Sequence, residues 1–431
     1  MNRTSKPTGA AGACAVLGIL TLALSACSTE AADPTGSGTS TGDASSVLTF
    51  ASGQQVAAEP LLAAFEEAYP EYTVEPVFIE QDAAYIQQLR TQLSGGTAPD
   101  IFKVWPGAGD AMAIGAVAAD GLVADLSDEP WASDIPENLV ALAGHEGDLY
   151  SLPATIGGIG AIYNDAAMDE VGATAPTTWS EVLQLCATAQ EHGKVAYALG
   201  TKDAWTAQLL PYALTGTLVY GPNPSFTEDQ TEGTASFTDS GWMEALEKVV
   251  EMDDAGCFNE GANGTAYDAQ MTMVGEGAAL GAVHVSQAVS AARQYAADGT
   301  TFSLAPFPAT ENPDDTYVPV APGINFAMNA KAENPEAAKA FLAFVASPEG
   351  QALFATASDS SPALPAPDYE ADEINQPLID ALERGRAAVY PDQTWPNTQV
   401  KEEYLIAMQE LFNRDVTPAE VLQRLDDAIA S

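Results

Sequence analysis

The sequence predicts an α/β fold with two lobes. The chain of 431 residues is longer than the roughly 250 to 300 residues at which a single hydrophobic core stops growing. Short apolar segments typical of strands alternate with segments of helical period from Val47 onwards. Residues 147–179 contain two strand-like segments separated by small residues at 155–158. We interpret this stretch as a crossing between the lobes, because small residues let a backbone bend or approach a ligand closely.

Acidic residues outnumber basic residues by a wide margin. The chain has 60 Asp and Glu against 15 Lys and Arg, which gives a formal net charge of -45. A potential of this sign repels DNA, RNA and anionic lipid surfaces, so we expect no nucleic-acid partner. The simplest interpretation of the charge is a solubilising surface on a secreted protein.

The N-terminus has the pattern of a secretory signal. Arg3 and Lys6 precede an apolar run that is too short to favour a transmembrane helix, and small residues lead to Cys27. The end of the run, Leu-Ser-Ala-Cys, resembles the bacterial lipobox. This resemblance implies removal of residues 1–26 and a lipid on the sulfur of Cys27, which would anchor the protein to the outer face of the cell membrane. The alternative is a plain signal peptide with a chance cysteine.

A flexible tether is expected between the lipid and the folded part. Residues 27–46 are rich in Ser, Thr, Gly and Asp and have no apolar period. A binding protein and an enzyme could use such a tether equally well, so this segment does not discriminate between them.

The first predicted strands place candidate ligand contacts at their carboxyl ends. A strand at residues 47–50 leads to Ser52, Gln54 and a helix, and open α/β sheets bind ligands at such turns. Ser52 and Gln54 are candidate contacts, with helix capping as the alternative. Trp105 ends the third strand, where its ring could stack on a sugar-like ligand or lie in the core. Trp205 follows a strand of the second half and has the same two interpretations.

Four segments resemble, in order, the family 1 extracellular solute-binding proteins, the maltose-binding-protein-like class that serves ABC importers. The first is the Gly-Gly-Thr-Ala-Pro-Asp run at 95–100, and the second is the crossing at 147–179 with its Pro-Thr-Thr-Trp turn. The third comprises the Asn-Pro-Glu-Ala-Ala and Ser-Pro-Glu-Gly-Gln runs within 334–351, and the fourth is Ser-Pro-Ala-Leu-Pro at 361–365. The resemblance implies a two-lobed periplasmic-binding-protein-like fold with three inter-lobe crossings and a ligand cleft between the lobes. It implies an N-terminal lobe of residues 47–154 and 305–358, and a C-terminal lobe of residues 155–304 and 359–431.

The resemblance also suggests further site residues. Asn325 lies at the entry of a strand, and Trp395 precedes a helix near the C-terminus. The family's strand that matches residues 271–285 usually ends in Gly-x-Trp, but here His284 or Val285 takes that place. A lone histidine often has a structural role, which is the alternative for His284. The candidate ligand-binding residues are therefore Gln54, Trp105, Trp205, His284, Asn325 and Trp395.

Two cysteines remain once Cys14 is removed with the signal and Cys27 carries a lipid. Cys186 and Cys257 fall in the same predicted lobe, and an even pair outside the cytoplasm suggests one disulfide. Two unrelated buried thiols are the alternative.

No motif in the sequence supports catalysis or metal binding. Cys-x-x-Cys, His-Glu-x-x-His, the P-loop and Gly-x-Ser-x-Gly are all absent. We therefore expect no enzymatic activity, no cofactor and no metal. A lipid-anchored enzyme acting on carbohydrate, or a binding protein for another solute, is the alternative.

The expected ligand is a neutral carbohydrate, in particular an oligosaccharide. Tryptophans at strand ends suit the apolar faces of sugars, and the scarcity of Arg and Lys disfavours an anion. The expected partners are the permease subunits of an ABC transporter, with membrane contact through the lipid only and a monomeric protein. Ligand contacts from both lobes would drive hinge closure.

Overall fold

The computed structural model describes residues 46–366 and 369–430. The predicted signal peptide, Cys27 and the tether up to residue 45 lie outside the described residues. Within those two ranges, none of the helices combines the length and apolar character that a membrane span requires.

The helices and strands of the first half alternate along the chain. In order they are β1 (Val47–Ser52), α1 (Gln55–Ala68), β2 (Thr73–Phe78), α2 (Asp82–Gly95), β3 (Ile101–Val104), α3 (Ile114–Ala119), α4 (Glu137–Ala143), β4 (Gly144–His145), β5 (Asp148–Leu149), β6 (Ser151–Pro153), β7 (Thr155–Asn164), α5 (Asp165–Val171), α6 (Trp179–Glu191), β8 (Val195–Tyr197), α7 (Leu209–Thr215) and α8 (Phe226–Thr231).

The second half continues the alternation and ends in helices. Its elements are α9 (Gly241–Asp254), α10 (Tyr267–Gly275), β9 (Ala279–Val285), α11 (Ala288–Arg293), β10 (Phe302–Ala305), β11 (Val318–Pro322), β12 (Asn325–Met328), α12 (Pro335–Ala346), α13 (Pro348–Ala357), β13 (Ser361–Pro362), α14 (Gln376–Glu383), β14 (Ala387–Ala388), α15 (Pro391–Thr394), α16 (Thr398–Phe412) and α17 (Pro418–Ile429). Short 3₁₀ turns occur at Ala132–Asp134, Ala204–Gln208, Ala262–Gly264 and Pro313–Asp315, and a π-helical turn at Gly216–Tyr220.

Local sequence signals set many of these boundaries. Thr178 and Glu181 form a capping box that starts α6, so two of the unpaired donors at the helix start are satisfied. The side chain of Asn334 accepts a hydrogen bond from an N–H group in the first turn of α12, so it caps the start of this helix. Gly96 ends α2 in the left-handed conformation, which glycine adopts without a steric cost.

The first sheet has five strands in the order β2-β1-β3-β12-β6. Strands β1, β2 and β3 run parallel, whereas β12 runs antiparallel to β3 and β6. Phe50 packs on one face with apolar residues of α1, α12 and α13, and Phe102 packs on the other face with residues of α2 and α3. Side chains alternate between the two faces of a strand, so this sheet is covered by helices on both sides.

The second sheet is organised around the long strand β7. Strands β9 and β8 follow on one side of β7, and β11 and β14 follow on the other side. The short strands β10 and β13 also pair with β7, each antiparallel to a different part of it. Helices α6, α7, α9, α16 and α17 contribute buried residues to the larger core of this sheet.

Three crossings join the two sheets. The first lies between Pro153 of β6 and Thr155 of β7, where the sequence predicts it. The second lies between Pro322 of β11 and Asn325 of β12. The third lies around β13, which pairs with the start of β7. Ala363, directly after β13, packs in the core of the first sheet, whereas Ile374 packs against the second sheet.

The chain returns to the first sheet later than the sequence predicts. The predicted N-terminal lobe resumes at residue 305, whereas in the structure β10 and β11 both pair with β7, with Val320 opposite Gly158. Two successive apolar segments thus complete the second sheet before the chain crosses. The segment from β10 to β11 therefore belongs with the second sheet, although the predicted N-terminal lobe includes residues 305–322.

A disulfide joins Cys186 of α6 to Cys257, which follows α9. Both cysteines are fully buried in the larger core of the second sheet. The bond therefore ties two helical regions 71 residues apart in sequence.

Candidate ligand site between the two sheets

The crossings bring one edge of each sheet together. In the first sheet, the carboxyl ends of the parallel strands β1 and β3 lie at the edge where β12 begins, with Asn325 opposite Val104. In the second sheet, β9 ends at Val285 opposite Ile159, close to the start of β7. Open α/β sheets bind ligands outside the carboxyl ends of their strands. The region between these edges is therefore the candidate site.

Trp105 lies directly after β3 at this edge and is half-buried. The ammonium group of Lys103 lies 4.0 Å from the centroid of the indole ring, and the ring of Tyr85 meets it edge-on at 5.9 Å. Lys103 is itself buried and paired with Asp82, at 3.3 Å between Nζ and Oδ1. These contacts fix the orientation of the ring, as a stacking surface requires.

Gln54 is also half-buried and precedes α1. Its side chain makes no capping hydrogen bond, so the capping alternative does not apply to it. Ser52 has the local role instead, because its Oγ accepts a hydrogen bond from the N–H of Gln54 at 3.0 Å.

Asn325 is fully buried at the first residue of β12. Its Nδ2 donates to Oγ of Ser151 at 3.0 Å, while its Oδ1 has no partner among the described residues. A buried polar atom without a partner costs about 1 to 3 kcal/mol. Such an atom at a strand end is a candidate ligand contact.

Trp205, Tyr267 and His284 form a three-ring cluster on the second sheet. The ring of His284 lies 5.2 Å from Trp205 and 5.3 Å from Tyr267 between centroids. Trp205 is half-buried and His284 is fully buried. Tyr267 is half-buried as well, so Trp205 and Tyr267 are the members that can present a surface to a ligand.

The structure places His284 in the interior of the second sheet. Burial lowers the pKa of its imidazole to about 3, so the ring is neutral at physiological pH. Its Nδ1 accepts from the N–H of Val285, and its other nitrogen has no partner among the described residues. Because Trp205 and Tyr267 cover it, His284 supports the cluster from behind.

The structure places Trp395 in the interior of the protein. It is fully buried, and its ring packs against Tyr212, Phe237 and Tyr404 at 5.4 to 6.2 Å between centroids. These contacts place it in the larger core of the second sheet. The turn before α16 carries the ring inward, which the sequence pattern does not reveal.

Sequence reasoning missed a close contact between the two lobes next to Trp105. The N–H of Ala108 donates to the carbonyl of Gln393 at 3.2 Å. A Cβ on Gly107 would lie 1.9 Å from that carbonyl oxygen, and a Cβ on Gly109 would lie 2.0 Å from the carbonyl oxygen of Asp392. The Gly-x-Gly spacing was the available signal, because only glycine permits such an approach.

Further neutral polar groups collect where the crossings meet. Oγ1 of Thr155 and Oε1 of Gln393 are buried without a partner among the described residues. A Cβ on Gly323 would lie 2.9 Å from Thr155 Oγ1 and 3.1 Å from Nε2 of Gln287, so these two groups converge on the second crossing. Such groups can bond hydroxyls without supplying a net charge.

Two surface cavities are each lined by residues of a single lobe. One of about 620 Å³ is lined by residues from Ala132 to Asp148, and the other of about 530 Å³ by residues around Asn164 and Gly275. Neither contains a candidate site residue. In the ranges that the structure describes, no group of acidic, histidine and cysteine side chains has the arrangement of a metal site.

Comparisons with known proteins agree with this architecture. A family model described as bacterial extracellular solute-binding protein matches residues 50–352, more than half of the chain. No curated protein sequence matches the chain significantly.

Several solved structures share the fold. A chitin oligosaccharide binding protein has a TM-score of 0.74 at 20% identity, over 89% of this chain and 98% of its own. A sugar transporter from Bacillus licheniformis, solved in complex with stachyose, has a TM-score of 0.71 at 18% identity, over 88% and 98%. A family 1 extracellular solute-binding protein from Bifidobacterium longum subsp. infantis has a TM-score of 0.65 at 22% identity, over 89% and 98%. The two-lobed α/β fold predicted from the sequence is thereby confirmed.

Proposed function

The chain belongs to the bacterial extracellular solute-binding protein family, and from this membership we propose that it captures a neutral carbohydrate between its lobes and delivers it to the permease of an ABC transporter. The proposed lobes are residues 47–154 with 323–364, and residues 155–322 with 365–431. The protein acts as a monomer and performs no chemical reaction on its ligand.

The observation that carries this proposal is the kind of group that gathers at the facing edges. Trp105 and Trp205 are half-buried rings, one from each lobe. Asn325, Thr155 and Gln393 supply buried neutral oxygens without a partner among the described residues. Aromatic faces and neutral hydrogen-bonding groups together match the C–H faces and hydroxyls of a sugar.

The charges in the region argue against an anionic ligand. Lys103 is paired with Asp82, and Lys401 is paired with two aspartates. A carboxylate or phosphate would require an arginine or lysine that is not already neutralised. Two similar structures, a chitin oligosaccharide binding protein and a sugar transporter in complex with stachyose, support an oligosaccharide ligand by analogy.

Capture operates by hinge closure in this proposal. Three short crossings permit the lobes to rotate relative to each other. A ligand that contacts Trp105 on one lobe and Trp205 on the other stabilises the closed form, because it binds that form more tightly than the open one. The permease then recognises the closed, loaded protein.

Replacing Trp105 by alanine tests the proposed site. Loss of the stacking surface removes about 0.5 to 1.5 kcal/mol beyond the loss of buried area, so we expect the affinity for the best sugar to fall roughly tenfold or more. Calorimetric titration measures this affinity, and circular dichroism checks that the variant remains folded.

Trp105→Phe is the matched control for that experiment. Phenylalanine retains an aromatic face, so this variant should lose much less affinity than Trp105→Ala. Tyr295→Ala removes an exposed ring elsewhere on the protein and should leave the affinity unchanged. Unchanged affinity in Trp105→Ala would exclude this residue from the ligand site.

Cys27 supplies the proposed membrane anchor. Replacing Cys27 by alanine removes the only sulfur to which the predicted processing would attach a lipid, so the protein should appear in the soluble fraction or accumulate unprocessed. Membrane fractionation and intact-mass measurement distinguish these forms. A Cys27→Ala variant that remains membrane-bound and fully processed would contradict the lipid anchor.

A further inference from the structure

A buried cluster of three charges links the two lobes beside the candidate site. Nζ of Lys401 lies 3.1 Å from Oδ2 of Asp110 and 2.8 Å from Oδ2 of Asp392. Asp110 belongs to the loop after β3 in the first lobe, whereas Lys401 on α16 and Asp392 on α15 belong to the second lobe. All three side chains are at most 16% exposed.

Asp110 and Lys401 are each held in place by their own lobe. Oδ1 of Asp110 accepts from the N–H of Met112 at 3.1 Å, which fixes the carboxylate in its turn. Lys401 lies on the long helix α16, whose buried residues pack in the core of the second sheet. The lysine would therefore separate from Asp110 if the lobes rotated apart, while its pairing with Asp392 would persist.

The backbone contact beside the cluster extends the same interface. Ala108 donates to the carbonyl of Gln393, one residue from Asp392, and the glycines of this loop let the two segments approach closely. We call Asp110, Asp392, Gln393, Lys401 and the loop residues 107–109 the latch. Every contact in it is made by the protein itself.

The charge of Lys401 is maintained in this position. Burial lowers the pKa of the ammonium group, but the carboxylates of Asp392 and Asp110 outweigh burial and hold the pKa above its usual value. A charged group at low exposure loses hydration that only close partners replace. Moving Asp110 away from Lys401 would therefore remove a favourable interaction that solvent compensates only partly.

We propose that the latch stabilises the closed arrangement of the lobes in the absence of ligand. This inference rests on the hinge motion of the proposed function but assigns part of the closing free energy to the protein's own charges. A protein that is partly closed before binding needs less of the ligand's differential affinity to complete closure. The latch therefore sets how strongly a given sugar is bound.

The test measures the distance between the lobes without ligand. Fluorophores are attached to genetically encoded reactive side chains at Gln87 in the first lobe and Glu228 in the second, both exposed. The full-length protein is compared with Asp110→Asn and Lys401→Met by energy transfer. Asparagine can still accept the hydrogen bond from Met112, so it removes the charge and preserves the turn.

If the latch holds the lobes together, a larger fraction of the protein should be in the open form in both variants. Coupling free energies of conformational change typically correspond to factors of about 5 to 150, and we expect the open-to-closed ratio to rise about tenfold. Lys194→Met is the matched control, because Lys194 pairs with Glu170 at 2.9 Å inside the second lobe and spans no crossing. The control should leave the ratio unchanged.

The outcomes separate the latch from the proposed function. If a sugar shortens the distance but the ratio without sugar is the same in wild type, Asp110→Asn and Lys401→Met, the latch is overturned and hinge capture survives. If the wild-type protein without sugar is fully open, the latch is also overturned. If neither sugar nor substitution changes the distance, both the latch and the hinge mechanism are overturned.

Discussion

Replacing Trp395 by alanine is expected to lower the free energy of unfolding by about 3 to 5 kcal/mol, the usual cost of truncating a large buried aromatic side chain. Trp395 is fully buried and meets the rings of Tyr212, Phe237 and Tyr404. The cavity left by the indole would be lined by these rings, which are held by other helices and cannot collapse completely into it. Urea unfolding monitored by circular dichroism measures the loss.

The same variant discriminates a core residue from a ligand contact. Under native conditions, folded Trp395→Ala should bind the best sugar within about threefold of wild type, well inside the tenfold that 1.4 kcal/mol represents. Trp395→Phe keeps most of the packing and should lose much less stability. A Trp395→Ala protein with unchanged stability and abolished binding would place the ring in the ligand site after all.

Removing the disulfide should also have a large effect on stability. The bond between Cys186 and Cys257 closes a loop with a sequence separation of 71. Loop-closure entropy then gives roughly 4 kcal/mol of stabilisation, from constraining the unfolded chain. The double variant Cys186→Ala, Cys257→Ala should therefore unfold at a clearly lower urea concentration, and reduction of the wild type should shift unfolding in the same direction.

Alanine is used in place of serine because both cysteines lie in the core of the second sheet, where a serine hydroxyl would be buried. A single Cys186→Ala variant would leave a free thiol and is the less clear comparison. Alkylation of the native protein without reduction should modify neither cysteine in peptide mass maps. Alkylation of both, or a stability loss below about 1 kcal/mol, would contradict a stabilising disulfide.

Elements with a local signal were predictable from the sequence. The helix starts at Thr178 and Asn334 depend on side chains that bond N–H groups within the next three residues. The edge position of Trp105 follows from the strand that precedes it. In each case the decisive interaction involves residues close in the chain, so a single sequence contains it.

Long-range pairing accounts for what the sequence did not reveal. The segment at Val318–Pro322 reads as an apolar strand, but nothing within it specifies that its partner is β7 and not a strand of the first sheet. Trp395 precedes a helix whether its ring binds a ligand or packs in the core. Its burial depends on Tyr212 and Phe237, which are far away in the chain. The contact of Ala108 with Gln393 joins segments almost three hundred residues apart, as the numbers of the two residues indicate.

The candidate site therefore differs from the predicted one in composition more than in place. Gln54, Trp105, Trp205 and Asn325 remain proposed ligand contacts, whereas His284 and Trp395 are fully buried. Thr155, Gln287 and Gln393 join the proposed set because their polar groups gather at the crossings. These residues belong to no recognisable sequence motif. They become candidates only in the structure, where burial leaves polar oxygens without a hydrogen-bond partner.

Thermal unfolding against a panel of neutral oligosaccharides, monosaccharides, amino acids and phosphorylated polyols tests the central claim most directly. A ligand that binds only the native state at a hundred times its dissociation constant adds about 2.7 kcal/mol of stability, so the unfolding temperature should rise for at least one neutral oligosaccharide. Trp105→Ala should show a smaller rise with the same sugar. A rise with an amino acid or a phosphorylated polyol, and none with any neutral saccharide, would contradict the assignment of this protein as a carbohydrate-binding protein.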